Sequence, residues 1–266
     1  MVSVAELSLV FAAGTVTALA TGLGVLPFFI VRTVPRRWLV VLWGVATGLM
    51  LSMSVFVAYE GVVDGGLAPV VFGVLAGVVL MIALDQFVTG YDFAPTAFDP
   101  HEYRTLVLVV GAITVHSIPE GVAVGVAFAD LGREADVFFA GVGLPTLAVS
   151  MTLAIAVLNI PEGLAIAIPL VTLGVSRWKA VGWAVFSGFP QPVFALIAYA
   201  FVTTARGVLP VGLGFAAGAL VYLVFYEFIP SALDHGSELP GRGRRELLGG
   251  VAAGVAAVSL LVALLG

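Results

Sequence analysis

The sequence predicts an all-α membrane protein: a single domain over residues 1–266, made of eight transmembrane helices with kinked helices 4 and 5 at its centre. Three observations support this. The chain is 61% apolar and 10% charged, with mean hydropathy +1.16, whereas a soluble domain is roughly 45–50% apolar. Its apolar runs reach the ~20 residues that a helix needs to cross hydrocarbon, and prolines or charges separate them. Two of the runs repeat a phrase, HSIPEGVAVGV at 116–126 and LNIPEGLAIAI at 158–168.

In chain order the expected spans are 5–31, 38–59, 67–89, 104–129, 137–170, 177–205, 208–232 and 247–266. The joints are Pro35-Arg36-Arg37, Asp64-Gly65-Gly66, Asp92 to Arg104, Asp130 to Asp136, Ser176-Arg177, Arg206-Gly207 and Gly236 to Glu246. The start, MVSVAELSLVF, lacks a basic leader region, so no removable signal segment is expected. In span 1, Thr21 to Pro27 reads as a kink that serves packing. Glycines recur four apart at Gly44/Gly48, Gly73/Gly77, Gly121/Gly125, Gly214/Gly218 and Gly250/Gly254. Such pairs let helix backbones approach closely in lipid. Glu60 and the Asp85-Gln86 pair read as interfacial groups, with Asp85 also a candidate for an exit path.

Loop charge sets the expected orientation. The loops after spans 1, 3, 5 and 7 hold nine Lys or Arg residues, and those after spans 2, 4 and 6 hold two, Arg133 and Arg206. Basic loops stay in the cytoplasm. The expectation is therefore a multi-pass protein of the plasma membrane with both termini extracellular and the lipid bilayer as its surroundings. The chain has no cysteine, which excludes disulfides, thiolate ligands and thiol chemistry. No basic stripe with aromatics is present, so no nucleic-acid partner is expected. Homodimer formation is left open.

The chemistry lies in spans 4 and 5. A charged residue at membrane depth costs roughly 2.5–3.5 kcal/mol on insertion scales and marks a functional site by default. Glu120 and Glu162 occupy matching positions, 42 residues apart. His116 is four residues before Glu120, and Asn159 three before Glu162, so each pair shares a helix face. The proline beside each Glu frees a backbone carbonyl, tolerated in a membrane only where something else satisfies it. Kinked helices related by symmetry at mid-membrane point to a transporter site. Two carboxylates brought together need a counter-charge, and a divalent cation supplies it. One imidazole, two carboxylates and amide oxygens suit Zn²⁺, Fe²⁺, Mn²⁺ or Co²⁺, with zinc slightly favoured. The competing readings are a hydrogen-bonded core histidine and a proton relay.

His-x-x-Pro-Glu-Gly in span 4, followed by Asn-x-Pro-Glu-Gly in span 5, resembles the ZIP (Zrt/Irt-like) divalent-metal transporters, and most of all their bacterial and archaeal GufA-like branch. Span 2, the stretch GVSRWKAVGWAVFSG and span 7 also look like their counterparts in that family. The resemblance implies import of Zn²⁺ or related ions, Cd²⁺ included, as transported substrate, with no cofactor and no enzymatic activity. It implies a centre in which Glu120 and Glu162 bridge and His116 ligates, with spans 1, 4, 5 and 6 moving against 2, 3, 7 and 8. A second metal position would fall to Asn159, Gln191 and Ser117. Three positions depart from the family pattern. Ser117 replaces an Asn, Leu158 replaces a polar residue, and Gln191-Pro192 replaces Glu-Pro. With two formal negative charges, one tightly held metal is expected rather than two. The resemblance places Glu227, before Ile229-Pro230, on the exit side, with Asp234 and His235 beyond it as further pathway candidates. In the loop after span 3, Asp92, Asp99, His101 and Glu102 read as a solvated acidic segment.

The alternatives are a scaffold of this kind repurposed as a proton-coupled or other small-solute permease, and an intramembrane metalloenzyme. The second needs two histidines on one helix, and His-Glu-x-x-His is absent.

Overall fold

The computed structural model describes residues 3–31, 34–90, 114, 116–131, 137–139 and 142–265. Helix α1, Val4–Leu23, starts with a capping box: the Ser3 hydroxyl accepts from the Glu6 N–H at 3.2 Å, and Glu6 accepts from the Ser3 N–H at 2.8 Å. It passes into a 3₁₀ turn, Leu26–Phe29, at Pro27. Helix α2, Arg36–Gly65, follows Pro35 and stops at Gly66, whose φ of +85° ends the helix. Helix α3 is Leu67–Gly90. Residues 116–127 are helical and form α4.

Span 5 begins later than the sequence suggested. Val137–Phe139 and Val142–Leu144 are short antiparallel strands, β1 and β2, paired Val137 to Leu144. Pro145 then caps α5, Thr146–Thr172. The residue before a proline is disfavoured in helical geometry, and a Val-Phe-Phe run suits a strand, so the helix cannot extend back to 137. Span 6 is broken: α6, Arg177–Ser187, ends at Gly188, and α7, Pro190–Thr204, starts at a proline. Span 7 is α8, Leu209–Leu223, a π turn over Val224–Phe228, and α9, Ile229–His235. Pro230 has no N–H for the Tyr226 carbonyl, and the widened turn absorbs that loss. Helix α10 is Arg244–Leu265.

Among the described residues, seven segments are long and apolar enough to cross a membrane. The remaining expected span, 104–129, lies largely outside the described residues, and its described part is α4.

The helices pack in two groups. In one, α2 packs on α10, α8 and α9, and α3 packs on α8. In the other, α1 packs on α5, α6 and α7, and α5 on α6. Helix α4 joins the second group, because a Cβ on Gly121 would lie 2.5 Å from the Gln191 carbonyl oxygen and one on Gly125 would meet the Ala195 backbone. All five glycine pairs are contact points of this kind. Gly44/Gly48 meets Gly250/Gly254 between α2 and α10, and Gly73/Gly77 and Gly214/Gly218 bring α3 and α8 together. The Thr21–Pro27 kink likewise serves packing, since the α5 backbone at Ile160–Leu164 abuts Gly24. One apolar core spans both groups, and a smaller one around Val25, Phe28 and Leu170 lies at the end of α1 and α5.

Candidate metal centre

Two proline-containing helix segments, one helix break and one π turn meet here. The Pro-Glu phrases are in α4 and α5, the α6–α7 break sets Gln191 in the first turn of α7, and the π turn carries Glu227. The break in span 6 and the π turn in span 7 bring Gln191 and Glu227 to the carboxylates of α4 and α5, which run as continuous helices through their Pro-Glu phrases.

The side chains form a linked set. Gln191 Nε2 donates to Glu120 Oε2 at 2.6 Å, and Asn159 Nδ2 donates to Gln191 Oε1 at 3.0 Å and to the Thr17 carbonyl at 2.6 Å. Glu162 comes close enough to Glu120 for the two carboxylates to interact. His116 Nδ1 lies 2.6 Å from Glu227 Oε2. Glu120, Asn159 and Gln191 are 0% exposed, and Glu162, His116 and Ser117 are buried. Glu120 Oε1 and Asn159 Oδ1 are buried with no hydrogen-bond partner. Among the described residues no Lys or Arg pairs with Glu120 or Glu162: the charges of Arg36, Arg37 and Arg206 are held at the rims by Glu238, Glu246 and Asp130.

The sequence candidates therefore divide. Glu120, Glu162, Asn159 and Gln191 form one cluster, and His116 reaches from α4 toward Glu227. Asp85 lies close to Tyr226, whose ring stacks on Tyr222 at 4.9 Å, and so belongs to the His116–Glu227 side. Ser117 is buried on α4 beside His116. Asp234 and His235 lie apart, in a cavity of about 760 Å³ with Phe28, Arg36 and Val171. The His235 Nδ1 is 2.7 Å from the Ser231 carbonyl. Leu158, expected to be unable to ligate, is 1% exposed and packs in the apolar core. Among the described residues no three His, Asp or Glu side chains stand in a metal-holding group. Asp92, Asp99, His101 and Glu102 lie outside the described residues.

Two features were not legible in the sequence. The Thr17 carbonyl orients Asn159, and a main-chain acceptor leaves no sequence signal. On the face opposite His235, a second cavity of about 390 Å³ is lined by Glu60, Asp64, Asp130, Thr146 and Leu213. The three acids had read only as interfacial or loop residues. Along α5, Glu162 stands about 22 Å from Leu147 in this cavity and about 9 Å from Ile168 in the other, at 1.5 Å per residue.

Known proteins resemble this chain in sequence. The family described as ZIP Zinc transporter matches residues 95–262, which include the α4, α5, α7 and π-turn residues above. "Zinc transporter ZupT" of Corynebacterium glutamicum is 32% identical over 92% of this chain and 95% of its own length. "Zinc transporter GufA" of Myxococcus xanthus is 38% identical over 52% of this chain and 49% of its own. "Putative zinc transporter At3g08650" of Arabidopsis thaliana is 36% identical over 83% of this chain, which spans 34% of that longer protein. The bacterial match runs nearly end to end and the family match takes in both Pro-Glu phrases, Gln191 and the π turn; this chain belongs to the ZIP zinc transporter family, a family of transporters and not of enzymes.

Proposed function

We propose that this protein carries divalent transition-metal ions across the bilayer, Zn²⁺ first and Fe²⁺, Mn²⁺, Co²⁺ or Cd²⁺ as further substrates, through the Glu120–Glu162 centre. The observation that carries this reading is the pair of buried acceptors without donors, Glu120 Oε1 and Asn159 Oδ1, beside a second buried carboxylate. Leaving buried acceptors unmatched is costly, and a cation is what they lack. The zinc-transporter names of the relatives support the substrate class.

Glu120, Glu162 and His116 hold the ion, with Asn159, Gln191 and Ser117 as neutral partners. For His116 to join, its ring turns from Glu227 toward Glu120, one helical turn away. Glu227 and Asp85 then receive the departing ion, and Asp234 and His235 lie in the cavity beyond. The acidic cavity at Glu60, Asp64 and Asp130 is the entrance. Its position opposite the arginine-rich face supports transport toward the cytosol, with both termini outside the plasma membrane. The division into two helix groups, α1 with α5–α7 and α2 with α3 and α8–α10, supports alternating access. Protonation of the glutamates assists release, since a protonated carboxylate loses metal affinity.

Uptake into proteoliposomes, with each metal offered separately, tests this. Wild-type protein takes up at least one transition metal, and Glu120→Ala takes up none while remaining folded. Uptake by Glu120→Ala at the wild-type rate refutes the site. A permease for a proton-coupled or other small solute is the second reading, favoured by buried Leu158 and by the Gln191 amide bonded to Glu120. It gains if folded wild-type protein moves no metal.

A further inference from the structure

On the arginine-rich face, away from Glu120, α2 and α10 open a cavity of about 910 Å³. Arg37, at the start of α2, and Arg244 and Arg245, at the start of α10, line it, with Val41, Leu239 and Gly249 as apolar wall. The two helices run in parallel: a Cβ on Gly44 would meet Leu247 and Gly250, and one on Gly48 would meet Val251 and Val255. Both N-termini therefore open on the same side, each with backbone N–H groups that no helical carbonyl can accept. No side chain caps α2.

Glu246 is the acid in the lining, and it lies 3.1 Å from Arg37. Among the described residues Arg244 and Arg245 have no ion-pair partner. Three cations against one anion leave the opening positive. Its depth is marked by tryptophans, which collect at head-group level. Trp38, next to Arg37, is 61% exposed, and Trp178, in the first turn of α6, is 74% exposed. Leu248, one turn into α10, is 67% exposed, so the apolar side of the cavity continues toward hydrocarbon.

We propose that this cavity binds the head group of an anionic phospholipid. Arg244 and Arg245 hold the phosphate with help from Arg37, and the acyl chains run along Val41 and Gly249. Basic pockets between transmembrane helices suit such head groups. Free phosphate would use the arginines and leave the apolar wall without a role. A bound lipid would tie α2 to α10 inside one of the two helix groups.

Native mass spectrometry of the full chain, released from vesicles of equal phosphatidylcholine and phosphatidylglycerol, tests the proposal. Wild-type protein retains phosphatidylglycerol in preference to phosphatidylcholine, and millimolar inorganic phosphate does not displace it. R37Q/R244Q/R245Q lowers that retention by roughly 30- to 150-fold, the effect of two to three basic contacts at a membrane surface. R177Q/K179Q/R242Q removes three charges from the same face outside the cavity and leaves retention intact. Should the first triple variant fail to fold, the single R245Q, at an exposed side chain, gives a roughly fivefold loss. Equal retention of the two lipids, loss in the second triple variant as large as in the first, or displacement by inorganic phosphate each overturns the proposal.

Discussion

Gln191→Glu is the most informative change at the centre. In the wild type the Gln191 amide donates to Glu120 Oε2 at 2.6 Å, with both side chains fully buried. The variant replaces that donor with a third carboxylate. At an effective dielectric constant near 20, two charges at that separation repel by roughly 6 kcal/mol, and by about 3 kcal/mol if the side chains relax to ~5 Å. Only a positive charge relieves this, from a proton or a divalent ion. Metal-free Gln191→Glu is therefore expected to melt roughly 6–12 °C below wild type, and saturating Zn²⁺ to restore most of the difference. The added carboxylate also removes the reason for holding a single ion. Bound metal, counted by inductively coupled plasma mass spectrometry, should rise from one per chain to two. Melting curves with and without Zn²⁺ read the first effect directly. An unchanged metal-free melting temperature, or the same loss in zinc-saturated protein, refutes the placing of Gln191 and Glu120 at one cation site.

Three further changes probe other parts of the argument. Leu158→Gln restores a polar group next to Asn159 and should tighten Zn²⁺ binding; unchanged affinity in titration calorimetry means that position 158 does not face the ion. Gly121→Val puts side-chain atoms against the Gln191 backbone, where even a Cβ would lie 2.5 Å from the carbonyl oxygen. Overpacking of this kind costs roughly 1–3 kcal/mol, so both thermal stability and uptake should fall, and wild-type behaviour would dissociate α4 from α7. Glu60→Gln with Asp64→Asn removes two charges from the acidic cavity and should slow initial uptake at low ionic strength, with the deficit shrinking as salt screens the field. A deficit that is independent of salt would assign these residues a structural role.

How much of this was legible in the sequence depended on the kind of signal. Apolar run length located seven spans among the described residues, because a helix is the economical way to satisfy the backbone in lipid. It misjudged the start of span 5, where Val137–Leu144 is as apolar as a helix but Pro145 sets the true beginning. The Gly pairs at four-residue spacing announced close approach, and every pair makes one, but the spacing did not say which helix each would meet. Within the site, the Pro-Glu-Gly repeat singled out Glu120 and Glu162, because a buried carboxylate in an apolar run needs a reason.

What the sequence determined by itself is local: helices from apolar length, breaks from Pro and Gly, and ionisable groups where lipid makes them costly. Only the tertiary structure decided who touches whom. It set Gln191 between Glu120 and Asn159, and it turned the Thr17 carbonyl toward Asn159. It placed Glu227 against His116, 111 residues away in the chain. These contacts depend on the register and rotation of whole helices against one another. That register comes from the summed packing of many small side chains, of which no single residue carries a readable mark.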